Sequence, residues 1–205
     1  MLISIIDYGV GNLTSVQNMF KKAGVNARIC STKSEIETAG KIVLPGMGAF
    51  DNCMQKYNES GFRDIIEQKV VQAKVPVLGI CVGLQMLMEG SAEGNLQGLG
   101  WIKGETVAFN KAQMQEENKI PNMGWLEVCV KKQSKLMEGL NEARFYFAHS
   151  FYVLPADEKD ILITGHYGYE FTAGIERDNI LGVQFHPEKS HRFGMQLLKN
   201  FADNY

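Results

Sequence analysis

Val75-Pro-Val-Leu-Gly-Ile-Cys-Val-Gly-Leu-Gln85 is the stretch on which the fold turns. Val75–Ile80 is a short apolar run of the kind that forms a buried strand, and Leu84–Met88 opens a helical pattern. Between them Gly79-Ile80-Cys81-Val82-Gly83 has the form G-x-C-x-G, a strand-to-helix elbow with cysteine at its apex. The glycines matter because the turn is sharp, and a side chain there would strike neighbouring backbone. Such an elbow presents the sulfur at the carboxyl end of the sheet, beside a helix start. The N–H groups of a helix start favour the thiolate, which is the reactive form of cysteine.

The pattern extends outward from this elbow. Towards the N-terminus, Leu2–Ile6 and Lys41–Leu44 read as buried strands and Val25–Cys30 as an alternating one. Leu13, Val16, Phe20 and Ala23 recur at helical spacing, as do Phe62, Ile65, Ile66, Val70 and Ala73. Strands alternating with helices predict an α/β fold, with a mostly parallel central sheet flanked by helices. Towards the C-terminus the character changes. From about Leu99 to Phe171, β-prone pieces dominate: 105–109, 125–130, 144–148, 151–154 and 161–166. They predict an antiparallel β insertion of hairpins covering one side of the core. Ile180–Phe185 returns to a buried strand, and Phe193, Leu197, Leu198 and Phe201 mark a closing helix. With no repeat, linker or low-complexity tract, residues 1–205 are expected to form one domain.

Composition excludes several function classes. A net charge of −2 argues against a nucleic-acid binder, which needs clustered Lys and Arg to neutralise phosphate. The apolar stretch Met1–Ile6 is cut by Asp7 and lacks a basic leader, so neither export nor a membrane span is expected. Cys30, Cys53, Cys81 and Cys129 form no C-x-x-C pair. A disulfide framework or zinc site is therefore not expected, and a cytoplasmic protein with free thiols is. Cys30, Cys53 and Cys129 lack the elbow context and read as inert core residues.

A nucleophilic cysteine needs a base, and the base needs an orienting group. Phe185-His186-Pro187-Glu188 follows the last buried strand. In extended chain, residues two apart point to one side, so Glu188 can fix the His186 imidazole. If this strand neighbours the one ending at Ile80, Cys81, His186 and Glu188 meet at one sheet edge. His149, His166 and His191 have no comparable partner by spacing, and His191 reads as solvent-facing. Acyl transfer also needs donors for an oxyanion. Leu44-Pro45-Gly46-Met47-Gly48 follows a strand with the same polarity and has backbone free to approach a ligand, although on that segment alone a plain tight turn is the slightly favoured reading. Gly9-Val10-Gly11-Asn12 has Thr14 where a dinucleotide fingerprint needs a third glycine, which argues against nucleotide binding.

Together, G-I-C-V-G-L-Q and H-P-E resemble the class I, triad-type glutamine amidotransferases. Asp7–Asn12, Pro45–Phe50 and Pro121-Asn122-Met123-Gly124-Trp125 narrow the resemblance to the glutaminase subunits of imidazole glycerol phosphate synthases. It runs from Asp7 to Lys189. The resemblance implies glutamine as substrate, hydrolysed through a thioester on Cys81, with no cofactor and no metal. It assigns oxyanion contacts to Gly46, Met47 and Gly48 and, in the backbone after Cys81, to Leu84. Gln85 and Glu93, with Ser150 and Phe151, are implied to hold the substrate. The implied partner is a (β/α)8-barrel cyclase that receives the ammonia in histidine biosynthesis. It would meet Asn12, Pro121, Met123, Gly124, Trp125, Tyr146 and Lys189, with the Met/Trp pair exposed on a loop. Asn122 stands where the family usually has His, and Met47 where Val is common. These departures leave open a paralogue supplying ammonia for amidation of a bacterial surface sugar; a stand-alone γ-glutamyl hydrolase on the same fold is a separate alternative, against which the Met-Gly-Trp segment argues.

Overall fold

The computed structural model describes residues 2–205; Met1 lies outside them. Its strands in chain order are β1 (Ile3–Ile6), β2 (Ala27–Cys30), β3 (Lys41–Gly46), β4 (Val77–Cys81), β5 (Gly90–Ser91) and β6 (Gly104–Ala108). They continue with β7 (Asn122–Val130), β8 (Arg144–His149), β9 (Phe151–Pro155), β10 (Ile161–Tyr167), β11 (Tyr169–Arg177) and β12 (Ile180–Val183). The helices are α1 (Leu13–Lys22), α2 (Lys33–Glu37), α3 (Phe50–Glu59), α4 (Arg63–Glu67), α5 (Val82–Met86) and α6 (His191–Asn204).

The main sheet has the order β2-β1-β3-β4-β12-β11-β10-β7-β8. From β2 to β12 it is parallel, and from β12 to β8 each neighbour is antiparallel. β1, β3, β4 and β12 are buried along their whole length. Strands sandwiched between helix layers must be apolar throughout, which is why the sequence shows continuous runs there. α1 turns Val16, Met19 and Phe20 inward, as its spacing predicts. α4 continues as a π-helical turn over Gln68–Gln72 and stops at Lys74, whose φ is +55°.

The insertion differs from its expected form. Its longer strands, β7, β8, β10 and β11, extend the main sheet edge to edge, and only β5, β6 and β9 form a separate small sheet. The sheet can grow this way because β12 leaves an unpaired edge, and β11 runs past Phe171 to Arg177 to cover it. Two helices are additional to those read from sequence. α2 is fixed by a capping box in which the Thr32 side chain and Glu35 satisfy each other's end of the turn. α3 buries Phe50, Cys53, Met54 and Tyr57, an i, i+3, i+4, i+7 stripe.

Candidate active site

The site follows from one register. β4 and β12 are parallel neighbours, with Ile80 opposite Val183. The chain leaves both strands at the same level, so Cys81 and Gln184 emerge side by side and His186 follows two residues later. Cys81 sits at φ +55°, ψ −113°, outside the regions that ordinary residues favour. Such a conformation costs about 1–3 kcal/mol and persists only where packing dictates it. Two close approaches do so here. A Cβ on Gly83 would lie 1.9 Å from the Leu44 carbonyl oxygen, and one on Gly46 would lie 2.4 Å from the Gly83 nitrogen. The start of α5 is thus locked against the end of β3.

The His186 and Glu188 side chains are buried, and His186 Nδ1 lies 2.8 Å from Glu188 Oε1. The carboxylate can only accept, so Nδ1 carries the proton and Nε2 is left for Cys81. The other Glu188 oxygen is buried without a hydrogen-bond partner. Backbone contacts hold the turn: His186 N–H donates to the Tyr146 carbonyl, and Ser190 Oγ donates to the His186 carbonyl while accepting from Tyr146 N–H. Burial works against a charged His186 ring, but hydrogen bonding to Cys81 and Glu188 outweighs it and lifts the pKa to about 10. The ring is therefore an imidazolium at neutral pH, paired with acidic groups on both sides.

A cleft of about 230 Å³ opens over this pair. Cys81 and His186 line it, together with Met47, Gly48, Gln85, Glu93, Ser150 and Phe151. Glu188 lies behind His186, as an orienting group should. Gly46 and Leu84 do not line the cleft. Gly46 packs on the elbow, and Leu84 is fully buried with its side chain against Gly182. The residue after the nucleophile that does line the cleft is Val82. Behind the Pro45–Gly48 segment, the Tyr8 hydroxyl donates to the Pro45 carbonyl at 2.5 Å and the Cys53 thiol to the Met47 carbonyl at 3.5 Å. Glu93 is exposed but anchored: the Phe50 N–H, at the start of α3, donates to its Oε2 at 2.8 Å. The following loop is pinned to α3, because Asp51 accepts from the N–H groups of Asn95 and Leu96.

Three residues of the site were passed over in the sequence. Ala148 is a small lining residue. His149, without a partner by spacing, has one across the sheet, because Asn122 pairs with it in the β7–β8 register. Its Nδ1 donates to the Phe151 carbonyl at 2.8 Å, and its Nε2 accepts from Asn122 Nδ2 at 3.1 Å. Burial, opposed by the Phe151 bond and aided by the charge on His186, lowers its pKa to about 4. Unlike His186, it is neutral. Gln184 is fully buried and connects Gln85 to the Cys81 sulfur. A two-residue step back from His186 along the extended chain is the signal that could have found it.

Of the expected partner-facing residues, Pro121 and Lys189 line the cleft. Met123 is 65% exposed and Trp125 39%. These two lie within β7 and not on a loop, with Trp125 opposite Tyr146. The Lys189 ammonium lies 5.8 Å from the centre of the half-buried Tyr146 ring. Gly124 adopts φ +147° within the strand, and Asn12 is the half-buried residue before α1. His191 is exposed, as expected, and stacks on Trp125. Cys30 and Cys53 are buried, whereas Cys129 is exposed, contrary to the expectation of a core residue. It shares the outward face of β7 with Met123, Trp125 and Glu127. Among the described residues, no group of three or more His, Cys, Asp or Glu side chains could hold a metal ion. Among them, too, no helix is long and apolar enough to cross a membrane.

A thiol on a strained elbow, a charged imidazole and an orienting carboxylate at the carboxyl edge of a parallel sheet define a cysteine-dependent acyl-transfer enzyme. The family model for class-I glutamine amidotransferases matches residues 4–205, and the chain belongs to that family. It is 47% identical to the imidazole glycerol phosphate synthase subunit HisH 2 of Pseudomonas aeruginosa, over 98% of this chain and 99% of that one. It is 49% identical to the HisH 2 subunit of Methanococcus maripaludis, over 98% of each chain. Among solved structures, a chain of PurLQS from Thermotoga maritima superposes with a TM-score of 0.70. It is 17% identical, and the match covers 98% of this chain and 96% of that one, a likeness of fold.

Proposed function

We propose that this chain is the glutaminase subunit of an imidazole glycerol phosphate synthase, hydrolysing glutamine and passing the ammonia to a synthase subunit. The Cys81–His186–Glu188 alignment carries the chemical half of this reading, and the end-to-end similarity to synthase subunits carries the other. Neither alternative, the surface-sugar paralogue or the stand-alone γ-glutamyl hydrolase, is favoured by relatives bearing that name.

In the proposed reaction the Cys81 thiolate attacks the side-chain amide carbon of glutamine. Negative charge develops on the amide oxygen, and the backbone N–H groups of Met47, Gly48 and Val82, which line the cleft, are assigned as its donors. His186 Nε2 gives its proton to the leaving amine, the C–N bond breaks, and ammonia departs from a γ-glutamyl thioester. The now neutral ring takes a proton from water. The resulting hydroxide attacks the thioester, and glutamate leaves with thiolate and imidazolium restored. Glu188 holds Nδ1–H throughout, fixing the ring and its charged form. Gln85, Glu93 and the backbone of Ser150–Phe151 grip the amino-acid end. A carboxylate such as Glu93 suits the α-ammonium of glutamine.

Free ammonia in bulk water becomes ammonium, so release is productive only into a sheltered partner. Pro121 and Lys189 at the cleft, with Met123 and Trp125 exposed along β7, form a surface that suits a docked subunit. We assign that partner as a (β/α)8-barrel cyclase, with no nucleic acid or membrane involved. Glutaminase assays with and without this subunit and its nucleotide ligand test the reading. Low turnover alone and strong stimulation by the pair is the expected result. Full turnover alone, unchanged by the partner, overturns channelled delivery. Cys81→Ala should abolish glutamine-dependent synthesis while synthesis from added ammonium salt survives.

A further inference from the structure

We propose that Gln184 is a working member of this site, donating from its side-chain amide to the Cys81 sulfur and turning Gln85 to present its oxygen to the substrate. The inference deepens the glutaminase reading and rests on Cys81 as its nucleophile.

The polarity of the contacts is dictated from one end. The Phe151 carbonyl can only accept, and Gln85 Nε2 donates to it at 3.2 Å. The second proton of the same nitrogen points to Gln184 Oε1 at 3.1 Å. With both Nε2 protons committed, Gln85 Oε1 is the atom left to accept from a bound ligand. Gln184 in turn has its oxygen committed, so its nitrogen faces Cys81 Sγ, 3.8 Å away. A flipped Gln184 amide would set two donors against each other and an oxygen against a sulfur anion. Gln184 has no exposed surface, and burying an amide without partners is costly. An apolar side chain would fill this position without that cost. The amide is instead paired at both ends, once to a substrate-gripping residue and once to the nucleophile. The contact holds the sulfur on the side away from solvent, and an N–H aimed at sulfur bonds a thiolate more strongly than a thiol.

The test reads the sulfur without needing glutamine. Iodoacetamide alkylation of the full chain is followed against pH by peptide mass spectrometry, with exposed Cys129 as the internal reference thiol. Gln184→Met conserves volume and removes both contacts. Its Cys81 alkylation profile should move up by about half to one pH unit, and KM for glutamine in the complex should rise about tenfold. Gln184→Glu keeps an acceptor for Gln85 but loses the N–H to sulfur. Its KM should stay within about threefold of the unsubstituted protein while the alkylation profile still moves up. Folded variants with unchanged profiles overturn the contact to sulfur, and an unchanged KM in Gln184→Met overturns the hold on Gln85. Should neither variant fold, the unsubstituted protein decides. The side-chain amide proton resonance of Gln184 must shift over the pH range in which Cys81 alkylation titrates, and a flat resonance refutes the contact. A chain with shifted profiles but no glutamine turnover with any partner would sink the glutaminase reading and leave the Gln184 contact standing.

Discussion

Acidification should act on this protein through His149, whose ring is buried and neutral between Asn122 and the Phe151 carbonyl. Its pKa falls from 6.5 to about 4, chiefly through burial. The folded chain therefore binds this proton less readily than the unfolded chain does. Stability from this site is complete above the unfolded value and is lost as pH falls from about 6.5 towards 4. Between pH 7.5 and 5 the loss amounts to about 2 kcal/mol. His149→Gln keeps a donor and an acceptor of similar reach but cannot titrate. Urea unfolding of both proteins at the two pH values isolates the effect. His186 titrates in the opposite sense, but it is present in both chains and cancels from the difference. The expected outcome is that the stability difference shifts by about 2 kcal/mol in favour of His149→Gln on going to pH 5. Parallel pH slopes for the two proteins would refute a buried neutral ring at this position.

Three further outcomes are expected. Glu188→Gln removes the negative charge facing Nδ1–H and allows an amide N–H to face the ring in its place, which should lower kcat at least a hundredfold with KM nearly unchanged, measured in the complex at saturating glutamine. Gly83→Ala forces a methyl onto the Leu44 carbonyl and should destabilise the fold by about 1–3 kcal/mol in urea unfolding, with glutamine turnover falling as the elbow shifts. Trp125→Ala removes the large exposed aromatic of β7. It should weaken association with the synthase partner at least tenfold in a titration followed by calorimetry.

What the sequence discloses and what it conceals divide along a physical line. The elbow around Cys81 is legible because its glycines are neighbours in the chain and answer a local steric demand. Glu188 is legible beside His186 because two residues of extended backbone fix their relation. α3 follows a glycine segment with no capping side chain at Ala49, so its start carries no signal even though its apolar stripe is regular. The Asn122–His149 pair joins residues 27 apart through a strand register, and no local pattern encodes register. Cys129 illustrates the converse error. Its type suggests burial, but the outward-facing Glu127 two residues earlier on an alternating strand settles its face. Gly46 and Leu84 mark where a motif names a segment but only packing selects which of its residues reach the cleft.

The central claim is that Cys81 becomes covalently acylated by glutamine. Acid-quenched turnover of the complex, digested and followed by mass spectrometry, tests it most directly. The account predicts a γ-glutamyl adduct on the peptide carrying Cys81, enriched in Glu188→Gln if thioester hydrolysis slows. Turnover with that peptide unmodified at every quench time, or an adduct on Cys53 or Cys129 in its place, would contradict it.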